Sequence, residues 1–325
     1  MVSWYQNLSL HIDPIAFTVG SFSVRWYAIS YLVAFLTVYC LLKWRVKHDS
    51  QIIAQISNFQ FPISKQFSNI KSQILNEIQD TKYYIQNTIL DFLLVAFFLA
   101  LIGGRIGYVL LYNFTYFINN PISIIWPFEN GNFVGLYGMS YHGGLVGVLI
   151  GSWIFLRVKK INPAPSRSCD LSSQQTKNLS GRCGINFLAW ADFVVPAVPL
   201  GYFFGRIGNF LNGELYGRIT NSSLGMCFAN NQTILRHPSQ IYEAVLEGLL
   251  LFAILWKLRN KKLPKGWLLA IYLIGYGILR IIGEQFREPD PQIGLLLNFF
   301  TLGQLLSVGM IFLGAGILVL KNSKR

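Results

Sequence analysis

Seven stretches of the chain are nearly unbroken apolar sequence, at about residues 26–42, 89–111, 139–156, 187–204, 241–256, 267–286 and 299–320. Each approaches the ~20 residues that an α-helix needs to cross ~30 Å of hydrocarbon, so the pattern predicts seven transmembrane helices. The shorter ones need help from their flanks. The expected fold class is an all-α polytopic membrane protein, organised as one transmembrane domain over residues 1–325. Two segments depart from the pattern. Residues 48–87 are polar and rich in Gln, Ser, Asn and Ile, with an amphipathic helix expected at 67–84. Residues 162–184 carry Pro163, Pro165 and several serines without apolar periodicity, and read as a flexible loop. Both are expected as insertions.

Composition supports this class: 53% of residues are hydrophobic and 13% charged. Charge then supplies an orientation. Lys43, Arg45, Lys47, Lys65, Lys71 and Lys82 follow the first apolar stretch, and Arg157, Lys159, Lys160, Arg167, Lys177 and Arg182 follow the third. Lys257, Arg259, Lys261, Lys262 and Lys265 follow the fifth, and Lys321, Lys324 and Arg325 follow the seventh. Residues 113–138, between the second and third, contain no Lys or Arg. The positive-inside rule therefore predicts an N-terminus outside, a C-terminus in the cytoplasm and both insertions on the cytoplasmic side. The N-terminus lacks the basic region of a cleavable signal peptide, so the first span is expected to stay in the mature protein.

Every lysine falls in a segment assigned to the cytoplasm. The basic residues left over are all arginine: Arg25, Arg105, Arg206, Arg218, Arg236, Arg280 and Arg287. Arginine presents a fixed fork of donors and keeps its charge when partly desolvated, which suits phosphate or carboxylate binding. The net charge of +13 thus divides into a topological, lipid-facing share and a candidate anion site on the outer side. Nucleic acid explains neither. The cysteines, Cys40, Cys169, Cys183 and Cys227, have no metal-type spacing and no base close in sequence.

The densest polar motif is Gly205-Arg-Ile-Gly-Asn-Phe-Leu-Asn-Gly-Glu-Leu-Tyr-Gly-Arg218, placed just after the fourth expected span. Ionisable groups this close to a bilayer are costly and mark functional sites, and glycine at this density brings backbone close to a ligand such as an anion. A short echo, Gly104-Arg-Ile-Gly107, ends the second span; four residues do not establish a repeat. His142 opens the third span and is either a general base or a histidine that hydrogen-bonds at a helix start. Gly143, Gly147 and Gly151 recur every fourth residue and form a close-packing face. Tyr276, Arg280 and Glu284 share one helical face, where Arg280 and Glu284 are positioned to pair. In His237-Pro-Ser-Gln-Ile-Tyr-Glu243, Pro238 fits a helix start and Ser239 and Gln240 cap or position it. Glu243 and Glu247 share a face and need partners inside the bundle. Tyr27, taken alone, is an interface aromatic.

In this order, the motifs resemble those of the bacterial prolipoprotein diacylglyceryl transferase family. They are Arg25-Trp-Tyr27, Gly103-Gly-Arg-Ile-Gly-Tyr108, His142-Gly-Gly144, the 205–218 signature, residues 237–243 and Arg280 through Glu284 to Arg287-Glu-Pro-Asp290. The resemblance covers nearly the whole chain outside the two insertions, which are longer than the family leads one to expect. It implies a seven-span inner-membrane enzyme that moves the diacylglyceryl group of phosphatidylglycerol to the thiol of a lipobox cysteine in a preprolipoprotein signal peptide. A thioether forms and glycerol phosphate leaves. The resemblance makes Arg206 and Arg280 the essential arginines, Asn209, Glu214 and Gly217 the signature core, and His142 either the base that removes the thiol proton or a group that only orients lipid. It also makes Tyr27 and Tyr276 functional tyrosines and Glu284 the acid that orients an arginine. The nucleophile belongs to the substrate, and no cofactor or metal is expected.

Three other readings share parts of this pattern. An anion transporter would use intramembrane arginines, with a clearer repeat and charges reaching both sides. A phospholipid-binding scaffold or translocator would need the arginines and tolerate loss of His142. A membrane phosphatase would need its own nucleophile or metal cluster.

Overall fold

Apolar sequence becomes helix almost throughout the computed structural model, which describes residues 4–20, 22–49, 56, 67–111, 114–126, 128–129, 132–133, 138–158, 186–228, 231–288 and 300–322. The hairpin β1 (Ile15–Val19) and β2 (Phe22–Arg25) leads into α1 (Trp26–His48). Helices α2 (Phe67–Leu111) and α3 (Phe114–Asn119), the short ladder β3 (Phe128–Glu129) with β4 (Asn132–Phe133), and α4 (Tyr141–Val158) follow. Then come α5 (Phe187–Val194), α6 (Val198–Leu211), the hairpin β5 (Met226–Phe228) and β6 (Asn231–Arg236), α7 (Ser239–Glu243), α8 (Leu251–Leu258), α9 (Trp267–Glu284) and α10 (Leu302–Asn322).

Five helices among the described residues are long and apolar enough to cross a membrane: Trp26–His48, Lys82–Leu110, Phe187–Leu211, Trp267–Glu284 and Leu302–Leu320. A shorter apolar helix covers Gly143–Val158. The expected segment at 241–256 is also helical, but the π-helical stretch Ala244–Leu250 separates α7 from α8 and Glu243 and Glu247 interrupt its apolar sequence. One expectation shifts. The amphipathic helix at 67–84 does form, but it runs on into the second span as one 45-residue helix. At 1.5 Å per residue that is roughly 65 Å, about twice the hydrocarbon thickness. The loop expected at 162–184, with Cys169 and Cys183, lies outside the described residues.

The chain divides into two compact units, one of residues 1–52 and 188–325, the other of residues 53–187. In the second unit α2 and α4 meet through glycine. A methyl group on Gly107 would lie 2.7 Å from the Gly143 Cα, and one on Gly103 would lie 2.9 Å from the Gly147 Cα. A Gly151 methyl would lie 2.9 Å from Leu99. The four-residue glycine stripe is thus a backbone contact face, as small residues every fourth position provide in lipid. Arg105 fastens the connection between these helices. Its guanidinium donates to the carbonyls of Ser123 at 2.7 Å and Ile124 at 2.8 Å, and lies over the Phe117 ring.

In the first unit the same device joins α6 to α1, where a Gly208 methyl would lie 2.7 Å from Ser30 Cβ. It also joins the π stretch to α6, where a Gly248 methyl would lie 2.7 Å from Phe203 Cβ. A buried polar fastener ties the opposite helix ends. Asp192, in α5, accepts from the amides of Gly266 at 2.6 Å and Leu269 at 2.8 Å, capping α9 with an anion at its positive end. Arg45 donates to the carbonyls of Asp192 and Phe193 and pairs with Asp49 at 2.7 Å. Arg45 was expected among the lipid-facing positive charges of the first flank; it is instead wholly buried. Its guanidinium is taken up by Asp49 and by the carbonyls near the C-terminal end of α5, which accounts for the difference.

Candidate active site

The 205–218 signature divides between helix and loop. The fourth span was expected to end at about residue 204, yet α6 continues to Leu211. Arg206 and Asn209 therefore project from the last turns of a helix, three residues apart. The remainder is a turn in which Gly213 takes φ +67° and Leu215 φ +56°. Leu215 occupies a region costly for a side-chain-bearing residue and is held there from outside. Ser239 Oγ donates to the Leu215 carbonyl at 3.1 Å, and Gln240 Nε2 donates to the Glu214 carbonyl at 2.5 Å. Both side chains are fully buried. The positioning role read for Ser239 and Gln240 is thus exerted on the signature loop rather than on their own helix start.

Gly217 closes the turn. Its amide donates to the His237 carbonyl at 2.8 Å, and the Arg218 amide donates to the Phe286 carbonyl at 2.9 Å. A methyl at Gly217 would lie 2.7 Å from that His237 oxygen, so only glycine permits these strands of backbone to meet. His237 packs edge-on against Tyr242 and Phe286. Partial burial pushes its imidazole below the ordinary pKa, because desolvation disfavours the charged form.

Above this loop lies a buried ionic cluster. Arg206 Nε is 2.7 Å from Glu243 Oε2, and Arg280 Nη1 is 2.9 Å from the same oxygen. One carboxylate oxygen therefore bridges two guanidinium groups. Arg280 Nη2 also contacts Glu284 Oε1 at 2.5 Å, and Nη1 lies 3.6 Å from Glu247 Oε1. Arg206 donates from Nε to the Tyr202 hydroxyl at 2.8 Å and from Nη1 to Asn209 Oδ1 at 3.3 Å. Its guanidinium sits over the Tyr202 ring, 5.0 Å from the centroid. The Tyr276 ring meets Tyr202 edge-on at 5.9 Å. Four elements converge here: α6, α7, the π stretch and α9. The extra backbone residue of a π turn is a frequent device at functional sites.

Of the residues predicted from sequence, Arg206, Asn209, Arg280, Tyr276 and Glu284 come together in this cluster. Glu214 and Gly217 lie in the adjoining loop. Glu214 is exposed, accepts from Asn212 Nδ2 at 3.1 Å and donates its amide to the Asn209 carbonyl at 3.0 Å. Tyr27, in α1, donates its hydroxyl to Tyr31 at 2.9 Å, while its Cα lies 3.6 Å from where a Gly208 methyl would sit. His142 belongs to the second unit, in the first turn of α4, and its side chain lies outside the described residues. The echo between residues 104–107 and 205–208 does not extend to chemistry, because Arg105 binds backbone carbonyls and Arg206 binds a carboxylate.

The arginines that lie outside the lysine-bearing segments thus separate by surroundings. Arg236 pairs with Glu288 and lies over Tyr216, and Arg218 donates to the Arg287 carbonyl at 2.9 Å. Arg206 and Arg280, by contrast, share the buried carboxylate of Glu243. Tyr202 was missed from sequence, since a tyrosine beside Phe203 and Phe204 looks like lipid-facing aromatic. Its signal was its spacing, four residues before Arg206. Glu243 and Glu247 were read only as acids in need of partners. Among the described residues, no group of three or more His, Cys, Asp or Glu is arranged to hold a metal ion.

Comparison with known proteins gives a consistent picture. The family model described as prolipoprotein diacylglyceryl transferase matches residues 69–172 and 175–320. A phosphatidylglycerol–prolipoprotein diacylglyceryl transferase of Chlorobaculum tepidum is 41% identical over 322 residues, covering 98% of this chain and 92% of that protein. One from Rickettsia felis is 40% identical, covering 97% of this chain and 98% of that protein. One from Desulfotalea psychrophila is 36% identical, covering 93% and 91%.

Proposed function

The chain belongs to the prolipoprotein diacylglyceryl transferase family, and from this premise we infer how its buried arginine pair serves the transfer. The protein is a membrane transferase acting in lipoprotein biosynthesis. It moves the diacylglyceryl group of phosphatidylglycerol to the thiol of the lipobox cysteine of a preprolipoprotein. The observation that carries the site assignment is the placement of Arg206 and Arg280 on one carboxylate oxygen of Glu243.

The cysteine sulfur attacks the glyceryl carbon that bears the phosphate ester. A C–S bond forms, the C–O bond breaks, and its electron pair leaves on the phosphate oxygen of glycerol phosphate. Negative charge grows on that phosphate. Arg206 and Arg280, fixed by Glu243, Glu284 and Tyr202, hold it and stabilise the charge, a task often worth ~3–4 kcal/mol per donor. Because Glu243, Glu284 and Tyr202 already hold the two guanidinium groups in place, the arginines need little reorganisation as the charge develops. Asn209 fixes the Arg206 fork, Glu214 and Gly217 shape the loop that receives the headgroup, and Tyr27 and Tyr276 bound the lipid. His142 takes the thiol proton, since a free thiol with pKa ~8.5 is mostly protonated at neutral pH. The nucleophile comes with the substrate, so the chain's own cysteines take no part.

The working topology is seven spans in the bacterial inner membrane, with the N-terminus and active site on the outer side and the C-terminus in the cytoplasm. The whole chain acts as one transmembrane enzyme domain, with its insertions at 48–87 and 162–184 on the cytoplasmic side. The charge asymmetry of the connecting segments supports this arrangement.

A mass-spectrometric transfer assay tests the function. Purified protein in detergent receives phosphatidylglycerol and either a lipobox peptide or its Cys→Ser version. A thioether-linked diacylglyceryl adduct on the cysteine peptide alone, with glycerol phosphate released, is the expected result. No adduct from folded protein would favour lipid binding without transfer.

A further inference from the structure

The last apolar helix, α10, begins with a reciprocal cap. The Thr301 amide donates to Gln304 Oε1 at 3.1 Å, and the Gln304 amide donates to Thr301 Oγ1 at 3.1 Å. This is the capping-box arrangement, which fixes where a helix starts. Ser307 Oγ then donates to the Gly303 carbonyl at 2.7 Å, so the first turn is held from both sides. Thr301 and Ser307 are both buried.

Gly303, in that turn, lies against the carboxylate of Glu284. A methyl group on Gly303 would sit 2.5 Å from Glu284 Oε1 and 2.9 Å from its Cδ. Those distances leave no room for any side chain while Glu284 keeps its place. The same oxygen holds Arg280 Nη2 at 2.5 Å. The start of a helix carries unbonded amides and a partial positive charge, which favours a carboxylate beside it. A continuous chain of contacts therefore runs from the α10 cap through Gly303 and Glu284 to Arg280.

We propose that Gly303 is a positioning residue for the transfer reaction: its missing side chain lets the first turn of α10 seat Glu284, which in turn aims Arg280 at the phosphate. The proposal rests on the reading of Arg280 as a phosphate ligand. Gly303 does not touch substrate and acts through Glu284. Alanine is the better helix former, so a loss on replacing Gly303 would not come from helix propensity. Gly309 in the same helix has open space around it and serves as a control.

The test is a double-mutant cycle on purified full-length chains: wild type, Gly303→Ala, Glu284→Asp, the double variant and Gly309→Ala. Transfer kinetics with phosphatidylglycerol and a lipobox peptide are read together with the thermal unfolding midpoint. Gly303→Ala is expected to lower kcat/KM for phosphatidylglycerol by about 10- to 100-fold, the scale of a misplaced catalytic group, with KM for the peptide unchanged. The shorter Asp side chain vacates the contested space. Gly303→Ala therefore has no further effect on transfer or midpoint in the Glu284→Asp background, the signature of direct coupling. Gly309→Ala behaves as wild type. Wild-type transfer by Gly303→Ala, or an equal extra loss in both backgrounds, would overturn the proposal. If Gly303→Ala does not fold alone, the Asp background decides: a folded double variant matching Glu284→Asp supports the contact, and a failed fold there refutes it. If the wild type transfers nothing, the proposed function fails, while the coupling of midpoints still reports on Gly303.

Discussion

Glu243 is a single carboxylate asked to serve two buried guanidinium groups, and that demand makes it the most sensitive residue of the cluster. Removing one member of a buried ion pair costs about 3–5 kcal/mol because the other charge is left uncompensated. Glu243→Ala leaves Arg206 and Arg280 facing each other across its former place. The variant is expected to unfold at a lower temperature in detergent and to lose transfer. A midpoint and activity equal to wild type would mean that the bridge is idle. Much of this cluster was legible in the sequence, because a charge within apolar sequence is expensive and draws notice. Arg280 with Glu284 also announced itself by i, i+4 spacing. What stayed hidden was the sharing of Glu243, which depends on α6, α7 and α9 meeting. Tyr202 was hidden too, as an aromatic among aromatics. The room that Gly303 makes for Glu284 left no mark in local sequence, since it exists only where two helices touch.

Among helices, the pattern of small residues predicted a contact more securely than apolar length predicted span boundaries. The glycine stripe of α4 does meet α2 at backbone distance. A leucine at Gly147 would drive into the Leu99 backbone, 2.8 Å from its carbonyl carbon even at Cβ. Overpacking of this kind costs about 1–3 kcal/mol or more. Gly147→Leu is expected to lower the unfolding midpoint clearly, while Gly316→Leu, with open space around it, changes little. Equal effects at both sites would remove the packing account. Two element-level features had no sequence signal of their own. The π stretch Ala244–Leu250 is a choice of backbone register made by tertiary partners. The continuation of α6 to Leu211 overrode a local glycine density that favours loop, because Gly208 is needed for contact with α1 rather than for a turn.

For the whole molecule, charge asymmetry and apolar length set the expected topology, and cysteine accessibility checks it. With the native cysteines replaced, a single cysteine at exposed Thr115 is expected to react with an impermeant reagent in cells whose inner membrane is intact. One at exposed Lys261 reacts only after permeabilisation. The reverse pattern would invert the protein. One buried oxygen brings two arginines together, and their part in the chemistry is read from transfer by Arg206→Ala and Arg280→Ala beside wild type. Each removes a donor worth ~3–4 kcal/mol at the transition state, so adduct formation should fall by at least about 100-fold in both. Transfer near the wild-type rate in either folded variant would contradict the phosphate role of that arginine.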